Sequence, residues 1–169
     1  PSADSIPLLI ALGATARVTG PSGERTVDVA AFCTAPGVNV LQPGEILVSI
    51  QIPQNAGGAR YLRFIPRSEM DIAVVSAGVN LTLDGKGVIT DARVALGAVA
   101  PTVLLVKDAA KAIIGTKLDD AALEKLGKAA SAACRPIDDK RGTIEFRTKV
   151  AAVLAKRAAK IAYGRAGGK

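Results

Sequence analysis

Cys33 and Cys134 are the only thiols in the chain; about a hundred positions separate them, and there is no histidine. Zinc and iron–sulfur sites draw their ligands from closely spaced Cys and His, so this spacing argues against either site being held by this chain alone. The missing imidazole removes the usual general base as well. Both thiols read as buried, reduced small hydrophobes and not as a disulfide. The strongest charge feature lies at the other end of the chain. From Lys140 to Lys169 nine basic residues stand against one acid, Glu145, while the rest of the chain sums to −1. The net charge of +7 therefore belongs to one C-terminal helix and its tail. With five Phe or Tyr residues and no Trp, there is little for nucleic-acid bases to stack on. A solvated helix face is the preferred reading, with cations placed to suit the negative end of the helix dipole.

If isolated side chains promise little chemistry, the elements that place them matter more. The opening, "PSADSIPLLIALGA", is a helix start: Asp4 or Ser5 can cap it, Pro7 fits the first turn, and Gly13 ends it. So abrupt a start is expected of a chain that continues a longer fold. "TARVTG", "PSGE" and "RTVDVAAF" read as a strand, a tight turn and a second strand. "TAPGVNVLQPGE" reads as loop. "EILVSIQIP" reads as a strand with Ile46, Val48, Ile50 and Ile52 on one face. No apolar run approaches the ~20 residues of a membrane span, and no basic-flanked signal peptide is visible. A soluble, cytoplasmic chain is expected.

Beyond "QNAGGA", the best boundary in the chain, "ARYLRFIP", "IAVVSAGVNLTLD" and "VITDARVALGAV" form three successive strands, the last two joined by the hairpin turn "DGKG". Gly78 and Gly97 lie inside them, where they admit a bulge or close packing. The period then lengthens to that of a helix: "VLLVKDAAKAIIG", "LDDAALEKLGKAASAAC" with Asp119 or Asp120 near its start, and "TIEFRTKVAAVLAKRAAKIAYGRA". In the last, Ile144, Val150, Val153, Leu154, Ala158 and Ile161 lie along one side, with Lys and Arg on the other. The expected class is α+β: a three-stranded antiparallel sheet packed with three helices, preceded by the tail of another α+β domain too thin to form a core alone.

The stretches "PSADSIPLLIALGA", "LQPGEILVSIQIP", "RFIPRSEMDIAVV" and "GTIEFRTKVAAVL", in this order, resemble the flavoprotein subunit of the molybdenum hydroxylases, the family of carbon monoxide dehydrogenase and xanthine dehydrogenase. The similarity runs over almost the whole chain. It implies that residues 1–53 are the end of an FAD-binding domain, 54–58 a linker, 59–165 the family's C-terminal domain and 166–169 a tail. It also implies that the glycine-rich segments gripping the FAD pyrophosphate lie upstream, and that this piece is not active by itself.

The resemblance carries over three flavin contacts. Asp4 matches an Asp whose carboxylate can accept hydrogen bonds from ribityl hydroxyls or a flavin N–H; read without it, Asp4 is a helix cap. Leu47 matches a contact in the "EIL" strand and is otherwise a second-face core residue. Arg63 matches a Lys of xanthine dehydrogenase, a positive charge that can stabilise negative charge on the flavin or a phosphate; otherwise it is an exposed strand residue. The loop from Phe64 to Asp71 corresponds to one beside the flavin ring, and Met70 stands where xanthine dehydrogenase has an Asp, so NAD use is not implied. The function implied is to pass electrons from iron–sulfur clusters through FAD to an acceptor, with the molybdenum cofactor and [2Fe-2S] clusters only in partner subunits or domains of a hetero-oligomer. Two other readings stand beside it: a non-catalytic module whose basic C-terminal helix binds acidic protein or nucleic acid, and a purely structural or dimer-forming domain.

Overall fold

The structure, a computed structural model, describes residues 2, 4–54, 57–68 and 71–168; Met70 and part of the expected linker lie outside the described residues. The chain runs α1 (Ser5–Ala11), β1 (Thr15–Gly20), β2 (Gly23–Asp28), α2 (Val29–Phe32), β3 (Cys33–Ala35), β4 (Val38–Asn39), β5 (Ile46–Gln51), β6 (Gly58–Phe64), β7 (Val75–Leu83), β8 (Ile89–Gly97), β9 (Leu104–Leu105), α3 (Lys107–Lys111), α4 (Asp120–Ala133) and α5 (Ile144–Arg165). The α+β class is borne out. β6, β7 and β8 form the expected antiparallel meander, and Asp84 Oδ1 accepts the Lys86 and Val88 N–H groups to set the β7–β8 turn.

The meander's register explains its apolar sequence. Val75, Ala77, Val79 and Leu81 of β7, with Val94 and Leu96 of β8, face α3, α4 and α5 and form the main core. The alternate residues, Ser76 and Gly78 of β7 with Arg93 and Ala95 of β8, face α1, which lies against β7 and β8. Ala95 packs there with Ile10, Ala11 and Ala14. A sheet covered on both faces has no solvent side to make polar, hence the near-continuous run of small and apolar residues. Gly78 supplies the close packing expected of it: a Cβ there would lie 2.7 Å from the Pro7 carbonyl oxygen of α1.

Several local expectations are corrected. The sheet has a fourth strand, because Val106 donates its N–H to Val94 O at 2.8 Å and holds Leu104 and Leu105 against Leu96 and Ala95; α3 begins only at Lys107. The second half of "RTVDVAAF" is helical: the Asp28 side chain accepts the Ala30 N–H at 2.9 Å and turns the strand into α2. The expected loop "TAPGVNVLQPGE" contains the short β3–β4 hairpin, turned by Gly37 at φ 73°. Cys134 is buried as expected, but Cys33 is exposed, since it stands in this peripheral hairpin.

Two apolar faces also differ from expectation. α5 buries an alanine stripe (Ala151, Ala155, Ala158, Ala159, Ala162) with Arg147, Leu154 and Tyr163, leaving Ile144, Val153 and Ile161 partly exposed. The reason is close approach: a Cβ on Gly58 of β6 would fall 1.9 Å from Ala162 O, so only small side chains fit between helix and sheet. On the outer face Lys149 pairs with Glu145 and Lys156 with Glu124, in keeping with a solvated helix. The other correction is β5. It lies at the edge of the sheet β2-β1-β5, and Ile46, Leu47, Val48 and Ile50 are all exposed, so neither of its faces is a core face here. Among the described residues no helix is long and apolar enough to cross a membrane, and no group of three His, Cys, Asp or Glu side chains is placed to hold a metal.

Candidate functional site

Strand alternation puts Tyr61 and Arg63 on the same side of β6, the side that α1 covers. The N-terminus of α1 arrives there with Asp4 in the N-cap position. An N-cap carboxylate ordinarily accepts the N–H of the second or third helical residue, but the third here is Pro7, which has none. Asp4 makes no such cap. Its Oδ1 instead accepts the Tyr61 hydroxyl at 3.3 Å, and its Oδ2 pairs closely with Arg63 Nη1. Two of the three sequence-expected site residues are therefore joined across 59 positions, linking the segment before the boundary to the strand after it. Both side chains keep access to solvent, 48% exposed for Asp4 and 31% for Arg63.

Leu47 stands elsewhere. It is on β5 of the other sheet, paired in register with Val18, and no hydrogen bond or ion pair among the described residues connects it to Asp4 or Arg63. Its side chain is 43% exposed, available to a ligand and not buried as a core residue. Tyr61 was not anticipated from the sequence; the signal was there in its i−2 spacing from Arg63 on a strand. Burial, with the Asp4 charge beside it, outweighs the opposing hydrogen bond of Ser76 and raises the Tyr61 phenol above its ordinary value, so the hydroxyl remains a hydrogen-bond donor at neutral pH. Ser76, opposite Arg63 in register, is 1% exposed and stands beside the Tyr61 hydroxyl.

Arg63 also reaches the Asp71 carbonyl at 3.5 Å, which ties the pair to the loop after β6. That loop is closed by the Val74 N–H on Phe64 O at 2.9 Å, and its root is fixed by the edge-on contact of Phe64 with Phe146 of α5, centroids 5.3 Å apart. Asp71 lies between Arg67 at 3.3 Å and Arg141 at 3.9 Å. Burial pushes its carboxyl up, but the Ile72 N–H and the two guanidinium groups outweigh this and hold it below the ordinary carboxylate range.

Behind the loop, Arg147 is 4% exposed and bonds Val74 O, Ala98 O, Gly142 O and Asp139 Oδ1. The sequence signal for this second missed residue was an arginine in phase with Ala151, Leu154 and Ala158 on the helix. Cys134 adds no thiolate chemistry, since burial pushes its thiol up to about 11. A groove of about 270 Å³ between α1 and the β3–β4 hairpin has Cys33 as its sole titratable side chain among the described residues, and another of about 340 Å³ is lined by Arg135, Asp139, Arg141 and Arg147. Neither includes Asp4, Leu47 or Arg63.

Comparison with known proteins adds to this geometry. Residues 60–162 match the CO dehydrogenase flavoprotein C-terminal domain, and residues 1–55 match the FAD binding domain in molybdopterin dehydrogenase. The carbon monoxide dehydrogenase medium chain of Afipia carboxidovorans is 37% identical over 167 residues, 98% of this chain and 58% of that protein. The xanthine dehydrogenase FAD-binding subunit of Escherichia coli O157:H7 is 28% identical, over 99% of this chain and 58% of that protein. Among solved structures, the carbon monoxide dehydrogenase from Hydrogenophaga pseudoflava that lacks the Mo-pyranopterin moiety superposes with a TM-score of 0.92 at 31% identity, covering 98% of this chain and 57% of that one. The cyanide-inactivated Cu,Mo-CO dehydrogenase gives 0.89 at 36% identity, covering 96% and 57%. The chain thus spans a little under three-fifths of the length of these relatives.

Proposed function

From the premise that this chain belongs to the flavoprotein subunit family of carbon monoxide and xanthine dehydrogenases, we propose that it forms the downstream wall of an FAD site through which electrons leave a molybdenum hydroxylase. Residues 1–53 are the end of the FAD-binding domain, 54–58 its linker and 59–165 the C-terminal domain, followed by the 166–169 tail. Asp4, Leu47 and Arg63 contact the flavin, and molybdenum-binding and iron–sulfur subunits complete the complex. The observation that supports this reading is the meeting of Asp4 and Arg63, one from each of the two matched regions.

The donor set fits FAD. A half-exposed carboxylate can accept from ribityl hydroxyls or a ring N–H, and a guanidinium suits phosphate or negative charge on a ring. An exposed leucine on β5 offers an apolar surface. When bound, FAD takes up electrons and delivers them to an acceptor. The chain's own contribution is to orient: Asp4 and Arg63 hold polar atoms in place. No protein general base is needed for that task.

The test is FAD retention in the complete subunit. Asp4→Ala loses a charged hydrogen-bonding group and is expected to weaken retention about tenfold or more, while Asp84→Ala, which alters only the β7–β8 turn, stays near the parent. Equal retention by the two variants removes Asp4 from the site.

A further inference from the structure

Asp4 is in an unusual position for a helix N-cap residue, and three features together account for it. Its backbone is helical, φ −67° and ψ −37°, where an N-cap residue is typically extended. Pro7 deletes one of the two N–H groups an N-cap side chain would accept. Gly78 lets α1 lie so close to β7 that its missing Cβ would meet the Pro7 carbonyl, and Tyr61 stands directly opposite Gly78 in register. The helix is thereby seated where the Asp4 carboxylate meets β6 and not its own first turn.

We infer that Tyr61 is a positioning residue of the flavin site, its hydroxyl fixing the Asp4 carboxylate in the orientation that FAD meets. This rests on the reading of Asp4 as a flavin contact. The two donors on the carboxylate are not equivalent. Arg63 is shared, since it also reaches the Asp71 carbonyl, and as a flavin contact it has a further partner to satisfy. Tyr61 is held by the sheet itself: its ring is half-buried there with the Ser76 hydroxyl beside its own, and that hydroxyl holds Oδ1 while Arg63 turns to a ligand. A carboxylate has about four acceptor sites, so with one taken by Tyr61 and one by Arg63 others remain for ribityl hydroxyls or a ring N–H. Arg63 supplies charge and Tyr61 supplies direction.

The experiment is a double-mutant cycle in the full-length subunit, with the FAD dissociation constant read by flavin fluorescence and the visible spectrum of the bound flavin recorded alongside. Tyr61→Phe keeps the ring and removes only the hydroxyl; its thermal melt is compared with the parent to verify the fold. The expected result is FAD binding about fivefold weaker in Tyr61→Phe, with a changed flavin spectrum, and less than a further twofold loss when Tyr61→Phe is added to Asp4→Ala, which removes the acceptor of the Tyr61 hydroxyl. If Asp4→Ala weakens binding but Tyr61→Phe does not, or if the Tyr61→Phe loss persists undiminished in the Asp4→Ala background, the positioning role is overturned while the flavin reading stands. If Asp4→Ala binds FAD like the parent, the flavin reading of Asp4 has failed, and the role of Tyr61 falls with it.

Discussion

Replacing Arg147 with Met tests whether one buried guanidinium ties the loop after β6 to the end of the meander. The side chain donates to Val74 O at 2.7 Å, Ala98 O at 3.4 Å, Gly142 O at 3.3 Å and Asp139 Oδ1 at 2.7 Å. In Arg147→Met the Gly142 carbonyl keeps the Asp139 N–H, and Asp139 keeps the Arg141 and Gly142 N–H groups. The Val74 and Ala98 carbonyls lose a charged donor in a buried place, at about 1–3 kcal/mol each. Burial of the Met side chain returns about 1 kcal/mol, leaving a net destabilisation of about 1–5 kcal/mol. Urea unfolding of the chain followed by far-UV circular dichroism reads this as a lower midpoint at unchanged slope, with a melting temperature lower by about 2–20 °C. Arg147→Lys, which keeps the charge without the planar fork, falls between parent and Met. A Met variant within about 0.5 kcal/mol of the parent, the range of an ordinary surface substitution, refutes the reasoning.

Two further outcomes follow from close approach and from charge. Gly78→Ala places a Cβ 2.7 Å from the Pro7 carbonyl, and overpacking of about 1–3 kcal/mol outweighs the ~0.4–1 kcal/mol gained from a stiffer unfolded chain. Hydrogen exchange is expected to show α1 amides losing protection while α4 and α5 keep theirs. Glu45 is held at about 2, from an ordinary 4.5, by the two bonds from Arg25 and the Gln42 N–H. Its folded value is the lower one, so its stabilising contribution is complete above pH 4.5 and is lost as pH falls from there towards 2. A carboxyl NMR titration should give this midpoint, and Arg25→Gln should move it back towards 4.5.

The elements that were legible are those whose signal is local. The β7–β8 turn follows from an Asp and a positive-φ glycine, Gly87 at φ 79°, and α4 starts where Asp119 accepts the Ala122 N–H. Asp4 and Arg63 came from the resemblance and not from periodicity, and the structure brings them together. What escaped depends on tertiary distance. The alanine stripe of α5 is read correctly only once the helix is known to touch Gly58, because hydrophobic scales favour Ile144, Val153 and Ile161 for the buried side. Asp4 was a cap candidate by type, and Pro7 three residues on was the local evidence against it. Tyr61 and Arg147 each sit in phase with a legible neighbour, but their partners, Asp4 for one and the Val74 and Ala98 carbonyls for the other, lie on distant segments that periodicity does not reach.

The two-sided exposure of β5 bears on how a polypeptide of this length behaves at the bench. Four bulky aliphatic side chains and one open row of amide donors and acceptors share a six-residue ribbon. Such a ribbon can nucleate stacking between molecules, which grows with concentration. Loss of material during concentration would therefore report on that ribbon, and not on a faulty fold in the meander and its helices.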